Sequence, residues 1–123
     1  MDKEKNNAEL ADLHQKMLDK RLRDFRKENP NIAKSFLDFW RETKKPSAIP
    51  TKYKELIQLA IVISHYCKPC IFLHTKLCLK AGASKEEILD AASQALAIGG
   101  GIAYEYLAYV MEAVELYEKE VKR

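Results

Sequence analysis

Scarce punctuation is the feature that most limits how this chain can fold. Only four glycines and four prolines occur in 123 residues, and three of the glycines stand together at Gly99-Gly100-Gly101. Glycine and proline are the residues that most readily interrupt regular structure, so few of them means long elements. Between the breaks, apolar residues recur at spacings of three and four, the period of a helix face. No stretch alternates apolar with polar as a half-buried strand would. The expectation is an all-α fold of six helices with a central antiparallel helical hairpin, in a single domain over residues 1–123.

The helices can be placed one by one. Leu10, Leu13, Met17, Leu18, Leu22 and Phe25 give a stripe over residues 8–27. Asn29 is placed to cap a second helix, with Pro30 in its first turn, where a missing N–H does no harm. Its stripe is Ile32, Ala33, Phe36, Leu37 and Trp40. Pro46 and Pro50 bound a linker over residues 44–51. A third helix, residues 52–65, is apolar nearly all round, which suits a central place or a subunit interface. The fourth starts near Pro69, with Cys67 close to its cap, and stops at Gly82. Ser84-Lys85-Glu86-Glu87 reads as a capping box for the fifth. The glycine triplet ends it and lets helices approach closely. The sixth covers residues 102–120.

Composition bounds the function. Apolar residues at 47% and charged residues at 32% fit a globular helical chain. A net charge of +3, with basic and acidic residues interleaved along residues 19–28, reads as solvated helix faces and argues against nucleic acid. The longest apolar run, Leu59–Ile63, is far short of the roughly 20 residues of a membrane span. No secretory pattern opens the chain, so a cytoplasmic protein is expected. In a reducing compartment, three cysteines suggest catalysis or metal binding before a structural framework.

The chemistry concentrates at Cys67-Lys68-Pro69-Cys70 and His74. Two cysteines three apart at a helix start are close enough to form a disulfide. The positive end of the helix favours thiolate, the nucleophilic form, over thiol. Such a pair can attack a disulfide or a peroxide and resolve onto itself. His74 lies one turn beyond Cys70 and can take its proton. In a hairpin centred between residues 64 and 65, Glu55 falls level with His74, where a carboxylate would orient the imidazole. Zinc is the rival reading, since Cys67, Cys70, His74 and Cys78 are all ligand types. On one continuous helix, however, they would span about 16 Å. Cys78 itself reads as a buried structural thiol, His65 as a helix-end residue and His14 as a surface residue.

These residues carry a resemblance. Glu55, eleven residues, Cys67-x-x-Cys70, three residues and His74, with Ala81-Gly82-Ala83-Ser84-Lys85-Glu86-Glu87-Ile88 beyond, resemble the carboxymuconolactone decarboxylase superfamily and its alkylhydroperoxidase AhpD-like branch. The likeness covers residues 30–120 as a family core, with residues 1–29 as an added N-terminal helix. It implies an all-helical homo-oligomer, commonly a trimer or hexamer, with no bound cofactor. It implies a disulfide reductase with weak peroxidase activity, in which Cys70 attacks, Cys67 is its disulfide partner, and Glu55 and His74 relay protons. Electrons would come from a partner-borne dithiol such as lipoamide on a lipoylated carrier protein, and pass to a peroxiredoxin. One position differs: AhpD has a histidine directly before the second cysteine, where Pro69 stands here. The alternatives are a decarboxylase or other ring-chemistry enzyme on the same fold, and a non-enzymatic redox or metal sensor.

Overall fold

The computed structural model describes residues 3–121. It contains six helices: α1 (Lys3–Glu28), α2 (Pro30–Lys44), α3 (Thr51–Ser64), α4 (Lys68–Lys80), α5 (Lys85–Gly99) and α6 (Gly101–Val121). There is no strand among the described residues. By its internal contacts the chain divides into two units, Met1–Pro46 and Ser47–Arg123.

The first unit is the α1–α2 pair. A single residue, Asn29, joins the two helices, its N–H bonding Phe25 O at 2.8 Å and its carbonyl accepting from Ala33 N at 3.2 Å. Asn29 is the N-cap of α2, as its position suggested, but its side chain makes no cap hydrogen bond. The helices flank a cleft of about 340 Å³ lined mainly by Leu22, Phe25, Ile32, Ala33, Phe36 and Leu37. Ala33 is the one buried residue on α2, while Leu10 and Phe39 remain 64% and 67% exposed. The apolar stripes read from the sequence are therefore present, and within this unit they stay largely uncovered.

The second unit packs α3–α6 as a square. α4 lies against α3 and α6, and α5 also lies against α3 and α6, while the diagonal pairs α3/α6 and α4/α5 touch least. The centre is filled by Leu59, Ile63, Ile71, Phe72, Ile88 and Val110, all fully buried. Each such side chain contributes about 1.5–3 kcal/mol by leaving water. Small residues allow the helices to close up: Ala92, Ala95, Ala103 and Ala113 are buried on α5 and α6. Gly100, with φ +67°, is the only residue between those helices. A Cβ built on Gly99 would lie 2.9 Å from the Cβ of Ala103, so the helix crossing depends on a missing side chain. α3 is sided after all: Leu59 and Ile63 are inside, while Ile57 and Ile61 are about half exposed.

The start of α5 carries the capping box expected from its sequence. Ser84 Oγ accepts from Glu87 N and Glu87 Oε1 accepts from Ser84 N, both at 3.0 Å. Lys52 Nζ reaches Glu87 Oε2 at 2.9 Å and so joins α3 to α5. The Ser84 N–H and, after it, the Lys52 ammonium hold the Glu87 carboxyl below its ordinary range. A carboxyl depressed in the folded state stabilises above the unfolded pKa of about 4.3 and loses that effect as pH falls through the folded value. Glu87→Gln should therefore unfold at lower urea than the parent at pH 7, and the gap should close below about pH 4. Urea titrations of both proteins across pH 3–7 check this.

Candidate functional site

The site begins with the reversal between α3 and α4. Only His65, Tyr66 and Cys67 connect the two helices, which forces them antiparallel and side by side. The turn closes with two backbone bonds: Tyr66 N to Ile63 O at 3.0 Å and Cys67 N to Val62 O at 3.3 Å. This is the two-bond helix ending that needs a left-handed residue, usually glycine. Here the residue is Tyr66, at φ +56°. A side chain in that region costs about 1–2 kcal/mol.

The chain then turns extended at Cys67, which is the N-cap of α4, with φ −100° and ψ 96°. Lys68 and Pro69 form the first turn, and Pro69 has no N–H to leave unpaired. Cys67 Sγ accepts the Cys70 N–H at 3.3 Å. Cys67 and Cys70 are joined as a disulfide, with S–S 2.07 Å and Cα–Cα 5.2 Å. Both residues are half-buried at the positive end of α4.

Two titratable side chains lie deeper. Glu55 on α3 is 5% exposed and His74 on α4 is 8% exposed. An isolated carboxylate on a helix is ordinarily at the surface, so burial of Glu55 follows from the hairpin and not from its own chemistry. A buried carboxylate or imidazole needs polar company, and neither side chain is isolated there. The structure thus joins Cys67 to Cys70 directly and places Glu55 and His74 inside, on the two helices that form the hairpin. Cys78 is fully buried on α4 and takes no part in a disulfide, as a structural thiol would. His14 is exposed, and His65 is the exposed C-cap of α3. Among the described residues, no three histidine, cysteine or acidic side chains gather as a metal site.

Two features escaped the sequence reading. Thr75, beside His74, is fully buried, and its Oγ1 has no hydrogen-bond partner among the described residues. Apart from His74, the other buried residues of α4 are the apolar Ile71, Phe72, Cys78 and Leu79, and a threonine at their spacing was the available signal. The second is a row of rings beside the disulfide. Tyr66 packs on Tyr106 at 5.3 Å between centroids, Tyr106 on Tyr109 at 5.4 Å, and Phe72 on Tyr109 at 6.5 Å. The Lys68 ammonium sits 5.0 Å over Tyr109. Of the three tyrosines Tyr104, Tyr106 and Tyr109 on α6, only Tyr104 is exposed, because the other two enter this row. Lys76 adds a bridge from α4 to Glu120 on α6 at 3.3 Å.

Fold and site together define an all-helical protein with a close cysteine pair at the start of one central helix. Relatives share that frame. A carboxymuconolactone decarboxylase family protein of Legionella pneumophila superposes with a TM-score of 0.78 at 32% identity, over 90% of this chain and 96% of its own. A family protein of Thermotoga maritima, with a possible role in the antioxidative response, gives 0.73 at 26% identity, over 88% and 96%. An uncharacterized protein of Cupriavidus necator is 25% identical over 72 residues, 58% of this chain; the match spans 64% of that relative, under two thirds of its length. The model of the carboxymuconolactone decarboxylase family matches residues 30–113. The chain belongs to that family. No helix among the described residues is long and apolar enough to cross a membrane.

Proposed function

We propose that this protein is a thiol-disulfide oxidoreductase of the AhpD-like branch, reducing hydroperoxides or a partner's disulfide. The observation that carries the reading is the Cys67–Cys70 pair at the start of α4, backed by a buried imidazole and a buried carboxylate. The antioxidative role suggested for the Thermotoga relative points the same way.

The chemistry runs as two half-reactions. Cys70, one turn from His74, loses its proton to the imidazole and attacks the outer oxygen of a hydroperoxide. The O–O bond breaks, the alcohol leaves with a proton from His74, and Cys70 becomes a sulfenic acid. Cys67 attacks that sulfur, releasing water and forming the disulfide. An external dithiol such as lipoamide on a carrier protein then attacks Cys70. Cys67 departs as a thiolate, stabilised at the N-cap by the Cys70 N–H and the end of the helix. The partner closes to its own disulfide, so two electrons pass from the dithiol to the peroxide. Glu55 holds the imidazole in orientation.

Cys70→Ser should abolish dithiol-dependent hydroperoxide turnover, and His74→Gln should lower it about a hundredfold or more. Full turnover in Cys70→Ser would overturn the mechanism, and activity that survives loss of both cysteines would point instead to ring chemistry.

The uncovered apolar surface supports a homo-oligomer, a trimer or hexamer by family likeness. Phe36 and Phe39 in the first unit, and Ile98 and Ile102 in the second, are too exposed in too many places for an isolated chain. Light scattering at micromolar concentration should give a multiple of 14.1 kDa, and a single monomeric species would contradict this.

A further inference from the structure

Two helix ends in the second unit close with the same pair of backbone bonds. At the end of α4, Gly82 N bonds Leu79 O at 3.1 Å and Ala83 N bonds Cys78 O at 3.0 Å, with Gly82 at φ +92°. At the end of α3, Tyr66 and Cys67 make the equivalent bonds, with Tyr66 at φ +56°. The first ending uses the residue that takes this conformation freely, and the second does not. Something else must hold Tyr66 there, and the ring row supplies it through Tyr106 and Tyr109 of α6. The Tyr66 hydroxyl also reaches the α5–α6 junction: a Cβ on Gly99 would come within 3.9 Å of it.

We propose that Tyr66 is a positioning residue: its left-handed backbone, held by its ring against α6, keeps Cys67 in the capping place of α4 and so sets the redox equilibrium of the Cys67–Cys70 couple. The proposal deepens the thiol-disulfide reading and rests on it. Cys67 follows Tyr66 directly, so a change of the Tyr66 backbone re-aims the cysteine and its sulfur. When an external dithiol reduces the bond, Cys67 gains the charge, and the Cys70 N–H lies 3.3 Å from its sulfur. A cap that holds thiolate better than disulfide stabilises the reduced form and makes the couple more oxidising. Let Cys67 drift from the cap, and the equilibrium moves towards the disulfide.

The test equilibrates the full-length protein and four variants in glutathione redox buffers at pH 7, traps thiols and weighs the two forms. Tyr66→Ala keeps the backbone cost and removes the ring that offsets it; its equilibrium should move about three- to tenfold towards the disulfide, or about 15–30 mV. Tyr66→Phe keeps the ring, and Tyr66→Gly takes the left-handed backbone freely, so both should stay within about twofold of the parent. Tyr106→Leu leaves Tyr66 in place but removes its support, and should shift the same way as Tyr66→Ala, which keeps the test alive should that variant not fold. A parent-like equilibrium in Tyr66→Ala or Tyr106→Leu would overturn the proposal. So would a shift in Tyr66→Gly as large as in Tyr66→Ala, since the ring and not the backbone would then be responsible. The equilibrium is read without turnover. A protein inert to hydroperoxides would therefore refute the catalytic reading while leaving this measurement intact.

Discussion

A sulfur caps the helix on which this site is built. The first N–H groups of any helix lack partners inside it, and serine, threonine, aspartate or asparagine usually supplies one. At α4 the acceptor is Cys67 Sγ, which receives the Cys70 N–H. One contact thereby joins three things: where α4 begins, how far apart the two sulfurs lie, and which of them is best placed to carry charge. Everything nearby serves that contact. The three-residue reversal delivers Cys67 to the cap, and Pro69 removes a donor that would otherwise compete for a partner. The Tyr66–Tyr106 contact ties the reversal to α6, and the Phe72–Tyr109 contact and the Lys76–Glu120 bridge tie α4 to α6.

The square of α3–α6 gives this contact a firm setting. α4 has α3 on one side and α6 on the other, and both interfaces are filled by fully buried side chains such as Leu59, Ile71 and Phe72. Close packing resists small displacements. The proposed cycle opens and closes the Cys67–Cys70 bond at the first turn of α4, and the packing behind that turn gives the helix its support. The family match, residues 30–113, takes in α2, α3, α4 and α5, and α6 as far as Ala113.

Much of this was legible in the sequence, and for identifiable reasons. Helices show themselves through apolar spacing and caps, which is why Ser84-Lys85-Glu86-Glu87 and the glycine triplet mark their boundaries to within a residue. The cysteine pair was legible because its chemistry and spacing are local. Burial of Glu55 was legible only through the hairpin register, since nothing about a glutamate among Lys54 and Leu56 foretells it. Tyr66 was not legible at all. A left-handed tyrosine depends on a partner ring 40 residues away on α6, and long-range packing of that kind leaves no periodic trace. Thr75 was passed over for a similar reason: threonine fits a buried helix face by size, and its unpartnered hydroxyl emerges only from the packing.

Whether Cys67 and Cys70 form a working redox couple or a resting bond is read by reducing the native protein, adding one equivalent of an alkyl hydroperoxide, and counting thiols over time with mass mapping of any new linkage. A working couple gives rapid loss of two thiols, a Cys67–Cys70 bond, an untouched Cys78, and full recovery on adding a dithiol. A reduced pair that stays inert to the hydroperoxide, or a bond that forms through Cys78, would contradict it.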